Sequence, residues 1–81
     1  MNFFNVKYML KYDHDLEFLE FSCAVVERLD DIEFHYSDIY VSMSNGEEDE
    51  ITEEQMFNII QDEYDQFEEV VLNKYKETFT W

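Results

Sequence analysis

Residues 29–73 run for 45 positions without a lysine or arginine while carrying fifteen carboxylates. Three kinds of chemistry are open to such side chains: acid–base catalysis by a pair, ligation of a hard divalent cation, or presentation of negative charge to a basic partner. A glycosidase-like pair needs a cleft and a desolvated acid. With 21 acids in 81 residues many pairs exist and none is singled out, so an enzyme is not expected and no catalytic residue is assigned. For a metal, an EF-hand loop needs alternating oxygen ligands with Gly at the sixth position. Asp13, Asp15 and Glu17 have the alternation but Phe18 stands where Gly belongs; in 45–50 the Gly falls too early. His14 and His35 are far apart in sequence, and one Gly in the chain leaves no phosphate-cradling loop. No metal or cofactor is therefore expected. What remains is charge itself, and the candidate partner-binding residues are Glu47, Glu48, Asp49, Glu50, Glu54, Asp62, Asp65, Glu68 and Glu69.

The elements that must position these residues follow from periodicity. Val6, Tyr8, Leu10 and Tyr12 alternate with Lys7, Met9 and Lys11, which predicts an opening strand. Asp13 or Asp15 then suits a helix N-cap, and Leu16, Leu19, Cys23 and Val26 fall at helical spacing, predicting a helix through about Leu29 with Arg28 at its negative end. The competing reading is a hairpin in which Phe18 to Cys23 form a second strand. Ile32, Phe34 and Tyr36 alternate with polar neighbours, as do Ile39, Val41 and Met43; Ser37 and Asp38 between them make this two short strands or one bent strand. Asn45-Gly46 is a strong turn signal, and the four acids after it read as a loop ended by Ile51. Thr52 with Gln55 three residues later matches a capping box. The helix it opens carries a stripe of Met56, Ile60, Tyr64, Phe67 and Val71, opposite Glu54, Asp62, Asp65, Glu68 and Glu69. From Thr78 on the chain is not expected to be strongly helical, with Phe79 and Trp81 packing back on the domain. The expected fold is α+β: a small antiparallel sheet with two helices packed on one face, in the order β–α–β–(β)–α.

Composition bounds the rest. Eighty-one residues make a single domain, 1–81, and 46% hydrophobic content with eight Phe and six Tyr argues for a folded core despite a net charge of −16. Cys23, the single cysteine, excludes an internal disulfide and sits among apolar neighbours as a small core residue. No signal peptide or membrane-length apolar run is visible, so a cytoplasmic location is expected. The charge excludes direct binding to nucleic acid or an anionic membrane, whose phosphates are bound by Lys and Arg. A basic, nucleic-acid-binding protein is the natural partner, and a homodimer is compatible with the composition.

A solubilising surface in a small domain needs a charge of only about −2 to −8, and this chain exceeds that range. A domain of this length has a radius of gyration near ~12 Å and spans about 30 Å, over which duplex DNA carries about 18 charges. Carboxylates three and four apart on a helix give a phosphate-like row. In size, acidity, aromatic-rich core and lack of a cysteine framework the whole chain resembles phage-encoded DNA-mimic proteins that block restriction enzymes, CRISPR effectors, uracil-DNA glycosylase or nucleoid proteins. Those proteins differ in fold and share no residue motif with this chain, so no residue role is carried over. The resemblance implies an inhibitor that occupies the nucleic-acid groove of a basic host protein, in the host cytoplasm if phage-encoded. The alternative is a generic acidic interaction module or antitoxin-like adaptor, with Tyr40, Phe79 or Trp81 making the specific contact.

Overall fold

The computed structural model describes residues 2–79. Four strands, β1 (Asn2–Met9), β2 (Leu16–Glu27), β3 (Ile32–Met43) and β4 (Glu48–Ile51), form an antiparallel meander in the order β1-β2-β3-β4. One helical segment follows: α1 (Glu53–Ile60), a 3-10 turn (Gln61–Glu63) and α2 (Tyr64–Phe79). The order is therefore β–β–β–β–α. Two helices packed on the sheet in the order β–α–β–(β)–α is not what the chain forms, because the expected first helix is strand β2.

The reason lies in the side chains of β2. Leu19, Phe21, Cys23 and Val25 are all buried and point to one face, paired across the sheet with Tyr8, Val6, Phe4 and Asn2 of β1. That is period two. Apolar Phe18, Ala24 and Val26 occupy the opposite face and fill in a helical spacing that nothing in the fold uses. At its end β2 turns through Leu29 and Asp30, closed by bonds between Arg28 and Asp31 in both directions (N···O 2.8 and 3.4 Å). Arg28, expected at a helix end, instead meets Glu33 across the hairpin at 2.7 Å.

β3 is one bent strand. Opposite the single residue Phe21 it places two, Asp38 and Ile39, and Asp38 takes φ 51°. This bulge shifts the inward parity from Phe34 and Tyr36 to Ile39 and Val41, so both apolar runs face the same core. The Asn45-Gly46 turn forms as expected: Gly46 takes φ 92°, Gly46 N–H donates to Met43 C=O (3.0 Å), and Asn45 Oδ1 accepts from Glu47 N–H (2.9 Å). A second correction concerns the acids beyond this turn. Glu48, Asp49 and Glu50 are not loop residues; they pair with Ser42, Val41 and Tyr40 as the short edge strand β4.

The core lies between one sheet face and the helical segment. Met56, Ile60, Phe67 and Val71 are buried there against Tyr8, Leu19, Phe21 and Cys23. Aromatic rings meet closely through this layer: Phe67 lies 5.4 Å from Tyr8 and 5.5 Å from Phe21, centroid to centroid. Phe79 is still helical and packs on Phe4 (6.0 Å) and Tyr75 (5.4 Å); Trp81 lies outside the described residues. The other sheet face is open, with Lys7 seated 4.0 Å over the Phe18 ring.

The two readings of residues 16–29 separate in a stability measurement. Phe21→Ala should cost about 3–5 kcal/mol as a core truncation, whereas fully exposed Leu29, the last residue of the expected helix, should tolerate Ala within about 0.5 kcal/mol. Urea denaturation of both variants checks this; equal costs would argue against the strand.

Candidate partner-binding surface

Each candidate residue is placed by local chemistry. Thr52 caps α1 as expected: Gln55 N–H donates to Thr52 Oγ1 at 3.1 Å and Thr52 N–H to Gln55 Oε1 at 2.9 Å. This sets Glu54 in the exposed first turn, with its charge near the positive end of the helix. The helix then tightens through Gln61–Glu63, where three residues make a turn. Beyond it Asp65, Glu68 and Glu69 are exposed, and together with Leu72 they line one shallow depression. Asp62 and Asp65 share a neighbouring one. The expected row of helical acids is thus interrupted by the 3-10 turn, and its tight part is 62–69.

Glu47, Glu48, Asp49 and Glu50 belong elsewhere. They lie at the β4 edge, where Glu48 and Glu50, opposite Ser42 and Tyr40, share the open face; Asp49, opposite buried Val41, points the other way. The depressions that Asp65, Glu68 and Glu69 line include none of these four. Eight of the nine candidates therefore fall into two groups rather than one ridge, and Glu54, in the first turn of α1, lines neither depression.

The tightened turn has another effect that sequence periodicity missed. Glu63, an acid, takes the inward position and is 5% exposed, while Tyr64, expected in the apolar stripe, turns out to 46% exposure. Burying a carboxylate needs a donor, and Tyr8 Oη–H supplies it at 2.5 Å, from a strand 55 residues away. Desolvation by burial, and then this bond to the Glu63 carboxylate, hold the Tyr8 phenol well above its ordinary pKa of 10.0. Tyr36 is raised likewise, by burial first and then by nearby Cys23, Tyr64, Glu68 and Glu53. The Cys23 thiol is pushed up to about 12 by burial, which suits a packing residue and not a nucleophile.

Beside the acidic depression lies an aromatic trough. α2 is packed over β1 and β2 through Phe67, and the near half of β3 is left partly uncovered next to it. Phe34 and Tyr36 form one wall of this open cleft of about 320 Å³, and Phe57 and Tyr64 the other. Tyr36 and Phe57 meet edge to face at 5.9 Å, and Phe57 and Tyr64 lie 6.3 Å apart. Carboxylates Glu53 and Glu68 also line it. Through Ile32, Glu68 and Leu72 the cleft continues into a second one beside the β2–β3 hairpin.

No protein-family model matches this chain, and neither a curated protein nor a solved structure matches it. Among the described residues no helix is long and apolar enough to cross a membrane. Among them, too, no three His, Cys, Asp or Glu side chains are grouped so as to hold a metal ion.

Two measurements test the buried pair and its neighbours. Tyr8, Tyr36, Tyr64 and Tyr75 all hold their protons more tightly folded than unfolded. Above their ordinary value near 10 the folded state therefore binds more protons, and stability falls as pH rises further. Cys23 acts in the same sense from its ordinary value of 9.0. Urea midpoints across pH 7–11 should therefore show these groups' stabilisation intact to about pH 9 and declining beyond. Tyr8→Phe, which strands the Glu63 carboxylate, should cost about 1.5–3 kcal/mol, and Glu63→Gln, which retains an acceptor, should cost less.

Proposed function

We propose that this protein is a nucleic-acid-mimicking inhibitor that occupies the DNA- or RNA-binding groove of a basic host protein and competes with nucleic acid. The observation that carries the reading is the outer side of the helical segment, where Asp62, Asp65, Glu68 and Glu69 are exposed within eight residues. The long axis of the molecule is 42 Å, over which duplex DNA carries about 25 charges; the net charge of −16 amounts to about two-thirds of that density. Such a surface accelerates encounter with a basic groove and disfavours anionic competitors. Inhibition is stoichiometric, without turnover.

A second reading has its own observation. The open sheet face exposes Phe3, Met9 and Tyr40, which supports an acidic interaction module making an apolar contact there. Phe79, expected to serve in that reading, is instead half-buried against Phe4.

Salt separates the two. Capture of basic nucleic-acid-binding proteins from lysate should weaken steeply between about 50 and 500 mM salt if charge carries the contact. It should persist if Phe3, Met9 and Tyr40 carry it. The combined variant Asp62→Asn, Asp65→Asn, Glu68→Gln, Glu69→Gln should lose most of its ability to displace DNA from the captured protein. Undiminished displacement by that variant at matched salt would falsify mimicry.

A further inference from the structure

We propose that the aromatic trough between β3 and the helical segment is the seat of an arginine-bearing segment of the basic partner, and that it selects arginine over lysine. The inference rests on the proposed function in taking the partner to be basic, and it adds which cation and where. A phosphate-like row of carboxylates attracts both Lys and Arg by charge, but it offers no ring on which a guanidinium can stack. The trough supplies what a phosphate backbone lacks. Its walls are ring faces and edges, with Tyr64 the most exposed of the four rings. A guanidinium is planar and weakly hydrated, so it stacks on such rings while its N–H fork reaches a carboxylate; an ammonium does neither as well.

The carboxylates are placed for this. Glu53, in the first turn of α1, and Glu68, on α2, line the same cleft as Phe57 and Tyr64. Glu33, also in that lining, is already engaged by Arg28 at 2.7 Å, so an incoming arginine meets Glu53 and Glu68. The Tyr64 hydroxyl is raised above its ordinary 10.0, chiefly by burial and then by the adjacent Glu68, so the ring meets a partner as a neutral phenol. The apolar margin formed by Ile32 and Leu72 continues the trough into the next cleft, which gives length for a peptide and not just one side chain. Charge complementarity selects the occupant. A second copy would bring its own acids against Glu53 and Glu68, and an anionic or neutral segment would leave both carboxylates without a cation.

The test uses two probes of equal charge, hexa-arginine and hexa-lysine peptides, titrated into the intact chain at matched ionic strength. Hexa-arginine should bind roughly three- to tenfold tighter. It should shift the methyl NMR signals of Ile32 and Leu72 while leaving the Met9 methyl on the open face unmoved. Tyr64→Phe, which keeps the ring, should retain the preference, and Tyr64→Ala should reduce it to near unity. Because Tyr64 is half-exposed, its removal is not expected to unfold the chain, and the methyl map on the wild type does not depend on any variant. Equal affinity for the two peptides, a preference that survives Tyr64→Ala, or methyl shifts at Met9 would each overturn the proposal. None of these results bears on mimicry, which stands or falls on the displacement assay; because Glu68 also lines the trough, the amide variant that keeps Glu68 (Asp62→Asn, Asp65→Asn, Glu69→Gln) separates the two.

Discussion

One apolar layer has to hold together a chain whose net charge is −16. The helical segment and one sheet face make that layer, and nearly every large buried side chain lies in it: Tyr8, Leu19, Met56, Ile60, Phe67 and Val71. Carboxylates repel one another wherever they sit, and the fold reduces the penalty by keeping them in solvent, outside this layer. The exception is Glu63. Its burial is stabilised by the Tyr8 hydroxyl, which ties β1 to the 3-10 turn and fixes how the helix rides over the sheet. Loss of that donor would leave a buried charge uncompensated, and buried charges are costly.

The two edges of the sheet show how acidity also serves the fold. β4 is only four residues long and carries Glu48, Asp49 and Glu50. Short length and charge are what keep an edge strand from pairing with another molecule. The β4 acids thus have a structural reason that the helical acids lack. β1, the other edge, is the one strand without a carboxylate; its charge comes from Lys7, held over Phe18. This division sharpens the functional reading: Asp62, Asp65, Glu68 and Glu69 remain as the acids the fold does not itself require.

Much of this architecture is legible in the residues. Thr52 and Gln55 announce the start of α1, Asn45-Gly46 announces its turn, and the two alternating runs of β3 announce a strand with a break at Ser37 and Asp38. β2 is not legible in the same way. Phe18, Ala24 and Val26 put apolar groups on the face away from the helix, so the stretch satisfies both periods at once. The turn that would have settled it, at Leu29 and Asp30, contains no Gly and takes no positive φ, so the usual hairpin signal is missing. Only the tertiary partner decides: the odd-numbered side chains of β2 find β1 and Phe67, and a helix there would not.

The site was partly legible for a related reason. Exposure of Asp65, Glu68 and Glu69 follows from helical phase counted back from Phe67 and Val71, which are buried as the stripe requires. Counting across Gln61–Glu63 fails, because a 3-10 turn advances the side chains by about 120° per residue instead of about 100°. That small excess brings Glu63 in and sends Tyr64 out. It thereby creates both the one buried carboxylate among the described residues and the most exposed wall of the aromatic trough. A single tightened turn thus links the interaction that anchors the helix to the surface offered to a partner, and a change in its winding would alter both together.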